Sequence, residues 1–269
     1  MEKALHVFVT IFSISAVRYF VIAGVPFIVF YKILNTWFGK SKIQSRLATK
    51  SDFFREVVLS MQTTIVLTIL AYVVLYTPFK NYTRIYTNIN DYPMWYIGVS
   101  ILIALVIHDT YFYWMHRLLH VKRVFPYTHL LHHKSVSPSP WASYSFHFIE
   151  AWTEGLVLFV IVMIVPMHQI GIVLFTIIAF MINVYGHLGY EVAPKRFRHS
   201  FLFQILNSSV YHNLHHSKFK GNYGLYFRIW DRLMGTENPD YVKEYDRIQA
   251  QRFGAEDVPA NNNVKEHFV

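Results

Sequence analysis

Histidine dominates the chemistry this chain can do. The word His-x-x-His-His occurs twice, as His129-Leu130-Leu131-His132-His133 and as His212-Asn213-Leu214-His215-His216, and a His-x-x-x-His pair, His116 and His120, stands just before the first copy. At the chain's histidine frequency such a word arises by chance roughly 0.05 times, so two copies are not background. Positions i, i+3 and i+4 share one face of a helix. Each segment can therefore present two or three ring nitrogens to a single point, and Asn183 with His187 repeats the i, i+4 spacing. One zinc takes four ligands in a structural site, or three plus water in a catalytic one. This set is too large for one ion and suits two, each with an open position. Imidazole accepts Fe, Zn, Cu and Ni alike, so donor type does not choose the metal. Neither the His-Glu-x-x-His of zinc peptidases nor the Glu-x-x-His of carboxylate-bridged bundles is present, which makes the site nearly all nitrogen.

Asp109, Tyr113, His116 and His120 follow one helical stripe, with spacings of 4, 3 and 4. Asp109 is placed to accept the far ring N–H of a ligating His, with a local cap or interfacial exposure as the equal alternative. His108 lies two turns deeper and suits a pocket role or an outer-shell role as well as coordination. His147, with Glu150 and Glu154 on its face, is a reserve ligand but reads first as a hydrogen-bonded interfacial residue. His6 and His267 are near the termini, His168 falls in a far-side turn and His199 in a basic surface segment. None of these four is expected to ligate.

The elements that must position the histidines are membrane helices. The chain is 54% apolar and 15% charged, well below the roughly 25% charge of soluble domains. It has no cysteine, which excludes disulfides, iron–sulfur clusters and zinc-thiolate sites. Its net charge of +9 reads as loops held on the cytoplasmic side; no nucleic-acid motif accompanies it. The N-terminus lacks a signal-peptide cleavage pattern and is read as a retained helix. A first apolar region covers Leu5 to Phe38, interrupted by Arg18, which is read as snorkelling at the end of a span that starts near it. A basic cytoplasmic loop, Lys40 to Arg55, precedes a second span from Val57 to Phe79. A third starts near Met94 and reaches His116 after roughly 33 Å of helix, about one hydrocarbon thickness. The block Leu156 to Ile182, broken at Pro166-Met167-His168, is expected as a helical hairpin returning to the cytoplasmic side. The expected fold is thus all-α: a polytopic membrane bundle of about four spanning or hairpin helices under a cytoplasmic helical His-rich cap. It forms a single integral membrane domain, with N-terminal membrane helices over 1–93, a His-box catalytic core over 94–236 and a C-terminal tail over 237–269, frayed from Gly254 on.

The combination Asp109-x-x-x-Tyr113-Trp114-x-His116-Arg117-x-x-His120, the two His-x-x-His-His words, Gly221-Asn222-Tyr223-Gly224 and Trp230-Asp231-Arg232-Leu233-x-Gly235-Thr236 resembles the fatty acid hydroxylase/sterol desaturase superfamily over roughly residues 95–236. The resemblance implies a membrane oxygenase with two non-haem Fe ions, which Zn often replaces on purification. The matching ligands would be His116, His120, His129, His132, His133, His187, His212, His215 and His216. Some members carry a further His where this chain has Asn183, which would bind weakly or through water. The implied reaction is O₂-dependent hydroxylation or desaturation of a lipid C–H bond. The implied location is a bacterial inner membrane or the endoplasmic reticulum. An apolar tunnel lined near Tyr111 to Trp114 and Trp141 to Phe148 would admit the lipid, unless those aromatics form an interfacial belt. No Gly-rich dinucleotide fingerprint and no b5-type haem domain is found. Electrons are therefore expected from a separate donor such as cytochrome b5 or a ferredoxin, docked at Lys195, Arg196, Arg198, Lys218 and Lys220, unless those charges only mark the inside face. A zinc-dependent membrane hydrolase, a non-enzymatic metal transporter and a b-type haem protein stand as the alternatives.

Overall fold

A computed structural model describes residues 2–46 and 48–254. The frayed-tail reading from 255 on, and His267 with it, lies outside the described residues. In chain order the α-helices among them are α1 (Glu2–Ile28), α2 (Lys50–Tyr76), α3 (Trp95–Leu119), α4 (Phe125–Thr128), α5 (Leu130–His133), α6 (Phe148–Gly155), α7 (Val157–Ile164), α8 (Gln169–Gly186), α9 (Phe201–Ile205), α10 (Ser209–Lys218), α11 (Ile229–Leu233) and α12 (Tyr241–Phe253). Two short strands, β1 (Ile85–Tyr86) and β2 (Met167–His168), pair in parallel.

The all-α, polytopic expectation is met. Among the described residues, four helices are long and apolar enough to cross a membrane: α1 with its π-helical extension to Ile33, α2, α3 and α8. A helix satisfies its own backbone hydrogen bonds, which lipid cannot do for it. The outer faces of these helices carry exposed Ile14, Val21, Val25, Val58, Leu102, Val106, Ile170 and Met181, a surface that suits hydrocarbon and not water. Their inner faces pack pairwise. Tyr19 and Ala23 of α1 meet Phe180 and Val184 of α8. Val66 and Leu70 of α2 meet Phe146 and Ala151. Ile101, Ala104 and Leu105 of α3 join Ile161, Phe175 and Ala179. At the far end, β1 and β2 tie the α2–α3 connection to the start of α8.

Four expectations change. Arg18 is not at a span's end, because α1 begins at Glu2; its Nη1 donates to Thr176 Oγ1 of α8 at 2.8 Å, so it points between helices and not toward water. The second span starts at Lys50, which converts part of the expected basic loop to helix. Thr49 and Asp52 form a reciprocal capping box there, each side chain accepting from the other's backbone N–H. The outgoing arm of the expected hairpin, from Leu156, holds only α7, of 8 residues, or about 12 Å; α6, also of 8 residues, precedes it. Gly155 ends α6 with α2 packed on it: a Cβ there would run into Leu70 Cδ1. Finally, residues 241–253, expected within a tail, form α12. Tyr241, Tyr245 and Ile248 on it are buried against Phe203, Val210 and Tyr211.

Candidate metal centre

All nine expected imidazoles gather at the end of the bundle where α3 and α8 finish. They form two groups. His116, His120, His129, His133 and His215 make one, and His132, His187, His212 and His216 make the other; within each group the donor nitrogens lie within 4.8 Å of one another. Eight of the nine are buried, and His120 is partly so.

The two His words do not converge on single points, as their spacing suggested. Each splits. His129 and His133 face the first group while His132 faces the second; His212 and His216 face the second while His215 faces the first. Helix geometry accounts for it: i and i+4 differ by about 40° around the axis, whereas i+3 and i+4 differ by about 100°. The outer pair of each word thus serves one centre, and its middle His crosses to the other. With the two words packed face to face, the exchange is reciprocal and stitches the centres together.

Four of the ring nitrogens pointing away from the centres have carbonyl partners that fix their protonation. Nδ1 of His116 donates to the Tyr223 carbonyl at 2.9 Å, His132 to Ser145 at 3.3 Å, His187 to Asn183 at 2.9 Å and His215 to Gly221 at 2.7 Å. A carbonyl only accepts, so each of these rings carries its proton on Nδ1 and a bare lone pair on Nε2. Yet Nε2 of His132 and His187 face each other at 3.4 Å, where no hydrogen can bridge them. His215 Nε2 is buried with no partner. Facing lone pairs of this kind call for a cation. Two ligands about 2.1 Å from a shared ion stand ~3.0–3.4 Å apart, depending on the angle. The observed Nε2 separations are 3.0 Å for His116–His129 and His212–His187, 3.1 Å for His216–His212, 3.2 Å for His133–His120 and 3.3 Å for His216–His187. Burial pushes the pKa of His187 and His215 down to about 4, and those of His129, His132, His133, His212 and His216 well below the usual range. Neutral imidazole is the form that ligates. The nine residues can hold two metal ions.

A carboxylate missed in the sequence supports the first group. Glu150 Oε1 lies 2.6 Å from His129 Nδ1. It had been noted only as a neighbour of His147. Burial and the nearby Glu154 push its pKa well above the carboxylate range, which a cation on the other side of His129 would oppose. His147 itself caps α6, accepting from Ile149 N–H, and ligates nothing.

Asp109 does not reach a ligating His. Its Oδ1 accepts backbone N–H groups of Leu225, Tyr226 and Phe227 at 3.0, 2.6 and 3.2 Å, clasping the segment that carries Tyr223. Asp231 does the same one turn along, accepting from Tyr223 and Gly224 at 2.9 and 2.7 Å. Gly221 is required by its backbone: φ is +76°, and a Cβ would sit 2.7 Å from the Thr236 carbonyl. These residues form a frame whose carbonyls aim His116 and His215. Asn183 contributes through its backbone carbonyl to His187, while its side-chain amide donates to Ser143 at 2.8 Å.

The other histidines separate from the centre. His108 bonds the Tyr226 hydroxyl and Glu154. His168 caps α8 at the far end, as its turn position suggested. His6 and His199 are exposed. Of the five basic residues considered for docking, Arg198 is committed to Asp246 at 2.8 Å, while Lys195, Arg196, Lys218 and Lys220 are exposed.

A cavity of about 260 Å³ runs from Asn183, beside the second group, down between α1, α2, α7 and α8. Aliphatic side chains such as Leu67, Leu70, Val74 and Val157 line most of it, with Phe175 and Phe180. Of the aromatics expected to line a tunnel, only Tyr144 does. Trp114 is on the exposed surface, and Trp141 packs on Tyr19 and Phe27.

Residues 101–236 match the sequence profile of the fatty acid hydroxylase family. The chain is similar to a delta(7)-sterol 5(6)-desaturase of Gibberella zeae, 26% identical over 88% of this chain and 64% of that one. It is 29% identical to human lathosterol oxidase over 72% of this chain and 68% of that one. It is 29% identical to a delta(7)-sterol 5(6)-desaturase of Schizosaccharomyces pombe over 86% of this chain and 81% of that one. The chain thus spans less than two thirds of the length of the first of these relatives. No solved structure matches it.

Proposed function

Because the chain belongs to the fatty acid hydroxylase family, we propose that it is an O₂-dependent, non-haem di-iron membrane oxidoreductase. Its reaction is hydroxylation or desaturation of a C–H bond in a lipid, with sterols the class the relatives' names favour. The observation that carries this reading is the pair of all-imidazole groups, with bare nitrogens facing inward at ligand spacing, and an apolar cavity that reaches Asn183, whose carbonyl bonds His187. When bound, a pair of iron ions would supply O₂ activation and removal of hydrogen from an unactivated carbon.

The chain's own residues do the rest. The nine Nε2-type donors hold the metals. The carbonyls of Ser145, Asn183, Gly221 and Tyr223 fix ring orientation, and Glu150 makes His129 a stronger donor. The aliphatic cavity wall excludes water and positions the substrate carbon. Basic residues concentrate at the His end, among them Lys40, Lys42, Arg46, Lys122, Arg123 and Lys134, which by the positive-inside tendency favours a cytoplasmic centre. A bacterial inner membrane or the endoplasmic reticulum both fit that orientation. Lys195, Arg196, Lys218 and Lys220 offer a docking face for an acidic electron carrier of the cytochrome b5 or ferredoxin kind.

Lipid mass spectrometry of cells with and without the gene, in ¹⁸O₂ and in its absence, tests this reading. We expect one lipid class to gain one labelled oxygen or lose two hydrogens, only with O₂ present. A hydrolysed lipid appearing without O₂ would instead establish a zinc hydrolase.

A further inference from the structure

Midway down the cavity the apolar wall is interrupted. Arg18, His108, Glu154, Thr176 and Tyr226 all line it, and a chain of contacts joins them. The His108 ring packs on Phe175 at 5.7 Å, and the next residue, Thr176, accepts from Arg18 Nη1 at 2.8 Å. His108 precedes His116 by two turns of α3, about 12 Å of rise; Thr176 precedes His187 by three turns of α8, about 16 Å. His108 is held on both sides, by the Tyr226 hydroxyl at 2.8 Å and by Glu154 Oε1 at 3.4 Å. Arg18 forms no ion pair among the described residues, and its Nε has no partner. Ionisable groups in an intramembrane wall are costly and mark a binding role.

The ring offers a donor fork on one side and a carboxylate acceptor on the other. A hydroxyl satisfies both, because it accepts from Arg18 and donates to Glu154. A carboxylate or phosphate would suit Arg18 but oppose Glu154. A ketone would leave Glu154 unmet, and a hydrocarbon would leave both unmet.

We propose that this ring anchors the hydroxyl of a neutral lipid alcohol and thereby presents to the metal centre a carbon roughly 12–16 Å from that hydroxyl, the rise separating the two levels. The identity of the reacting carbon rests on the oxygenase reading; the alcohol site does not. In a sterol the ring hydroxyl and the 5(6) bond are only a few bonds apart. A sterol anchored here would therefore offer its side chain, and not that bond, for oxidation.

The test is equilibrium binding to the purified, metal-loaded full chain in nanodiscs, which requires no turnover. The probes are cholesterol and hexadecanol, each beside its methyl ether, and hexadecanoate as the anion. At least one alcohol should bind about tenfold tighter than its ether, and hexadecanol tighter than hexadecanoate. Arg18→Met and Glu154→Gln should erase the alcohol preference while leaving ether affinity and metal content unchanged; Tyr226→Phe, which removes a single oxygen, should narrow it. Equal binding of alcohol and ether in both frameworks, tighter binding of hexadecanoate, or a preference that survives both Arg18→Met and Glu154→Gln overturns the proposal. The wild-type comparison decides it even where a variant does not fold. An alcohol preference in a chain that oxidises no lipid would refute the oxygenase reading and leave the alcohol site standing.

Discussion

His132 and His215 each sit in the middle of a histidine word, and each serves the centre opposite to its neighbours. Replacing either one should therefore lower metal content at a different site. His132→Ala leaves the five-donor group whole and His215→Ala leaves the four-donor group whole, so each variant should retain about half of the metal in elemental analysis, and the double variant should lose more. Glu150 acts behind His129; Glu150→Ala should weaken metal affinity by about 10–100-fold, the usual effect of an outer-shell partner, read by chelator competition. At this scale the sequence was legible wherever a motif repeats. Eight of the nine histidines stand out by spacing, since i, i+3 and i+4 are visible in one dimension, and His187 was marked by the family resemblance. The split of each word was not, because it depends on how two helices face each other. Glu150 was invisible as a partner of His129, since nothing in a string shows which of two carboxylates one turn apart will meet a ring from another segment.

The closing segment of 221–236 works as a frame and not as a ligand source. Asp109 and Asp231 together accept five backbone N–H groups of residues 223–227, and the carbonyls of Gly221 and Tyr223 aim two imidazoles. Asp109→Ala should cost about 1.5–3 kcal/mol, since charge-assisted hydrogen bonds are lost from a buried site, and should lower metal retention although Asp109 touches no ligand. Gly221→Ala meets both a positive φ and a backbone carbonyl at 2.7 Å; about 1–3 kcal/mol of strain is expected there, seen as a lower thermal midpoint. Element existence was legible in the sequence because long apolar runs have few alternatives. Element ends were not: the start of α2 depends on the Thr49–Asp52 box, a two-residue signal inside a run of basic residues that reads as a loop. The close approach of Leu70 to Gly155 comes from another helix, which no local pattern records.

At the scale of the whole molecule, α3 and α8 deliver their ends to the histidine layer, and the proposed cytoplasmic face of that layer can be tested directly. The chain has no cysteine, so single cysteines can be labelled on a silent background. Cysteine at Lys122 or Lys218 should react from one side of the membrane, and cysteine at Lys80 or Asn88 from the other. Polytopic architecture was legible from composition and run length; the cavity and its polar ring were not, since they are made by Arg18, His108, Glu154 and Thr176 from four separate helices. The most direct test of the account is X-ray absorption combined with elemental analysis of the purified full chain. Two metal ions per chain are expected, each in a shell of imidazole nitrogens at about 2.1 Å with a metal neighbour visible beyond it. A single ion per chain, or a shell dominated by oxygen that is unchanged when His132 or His215 is replaced, would contradict it.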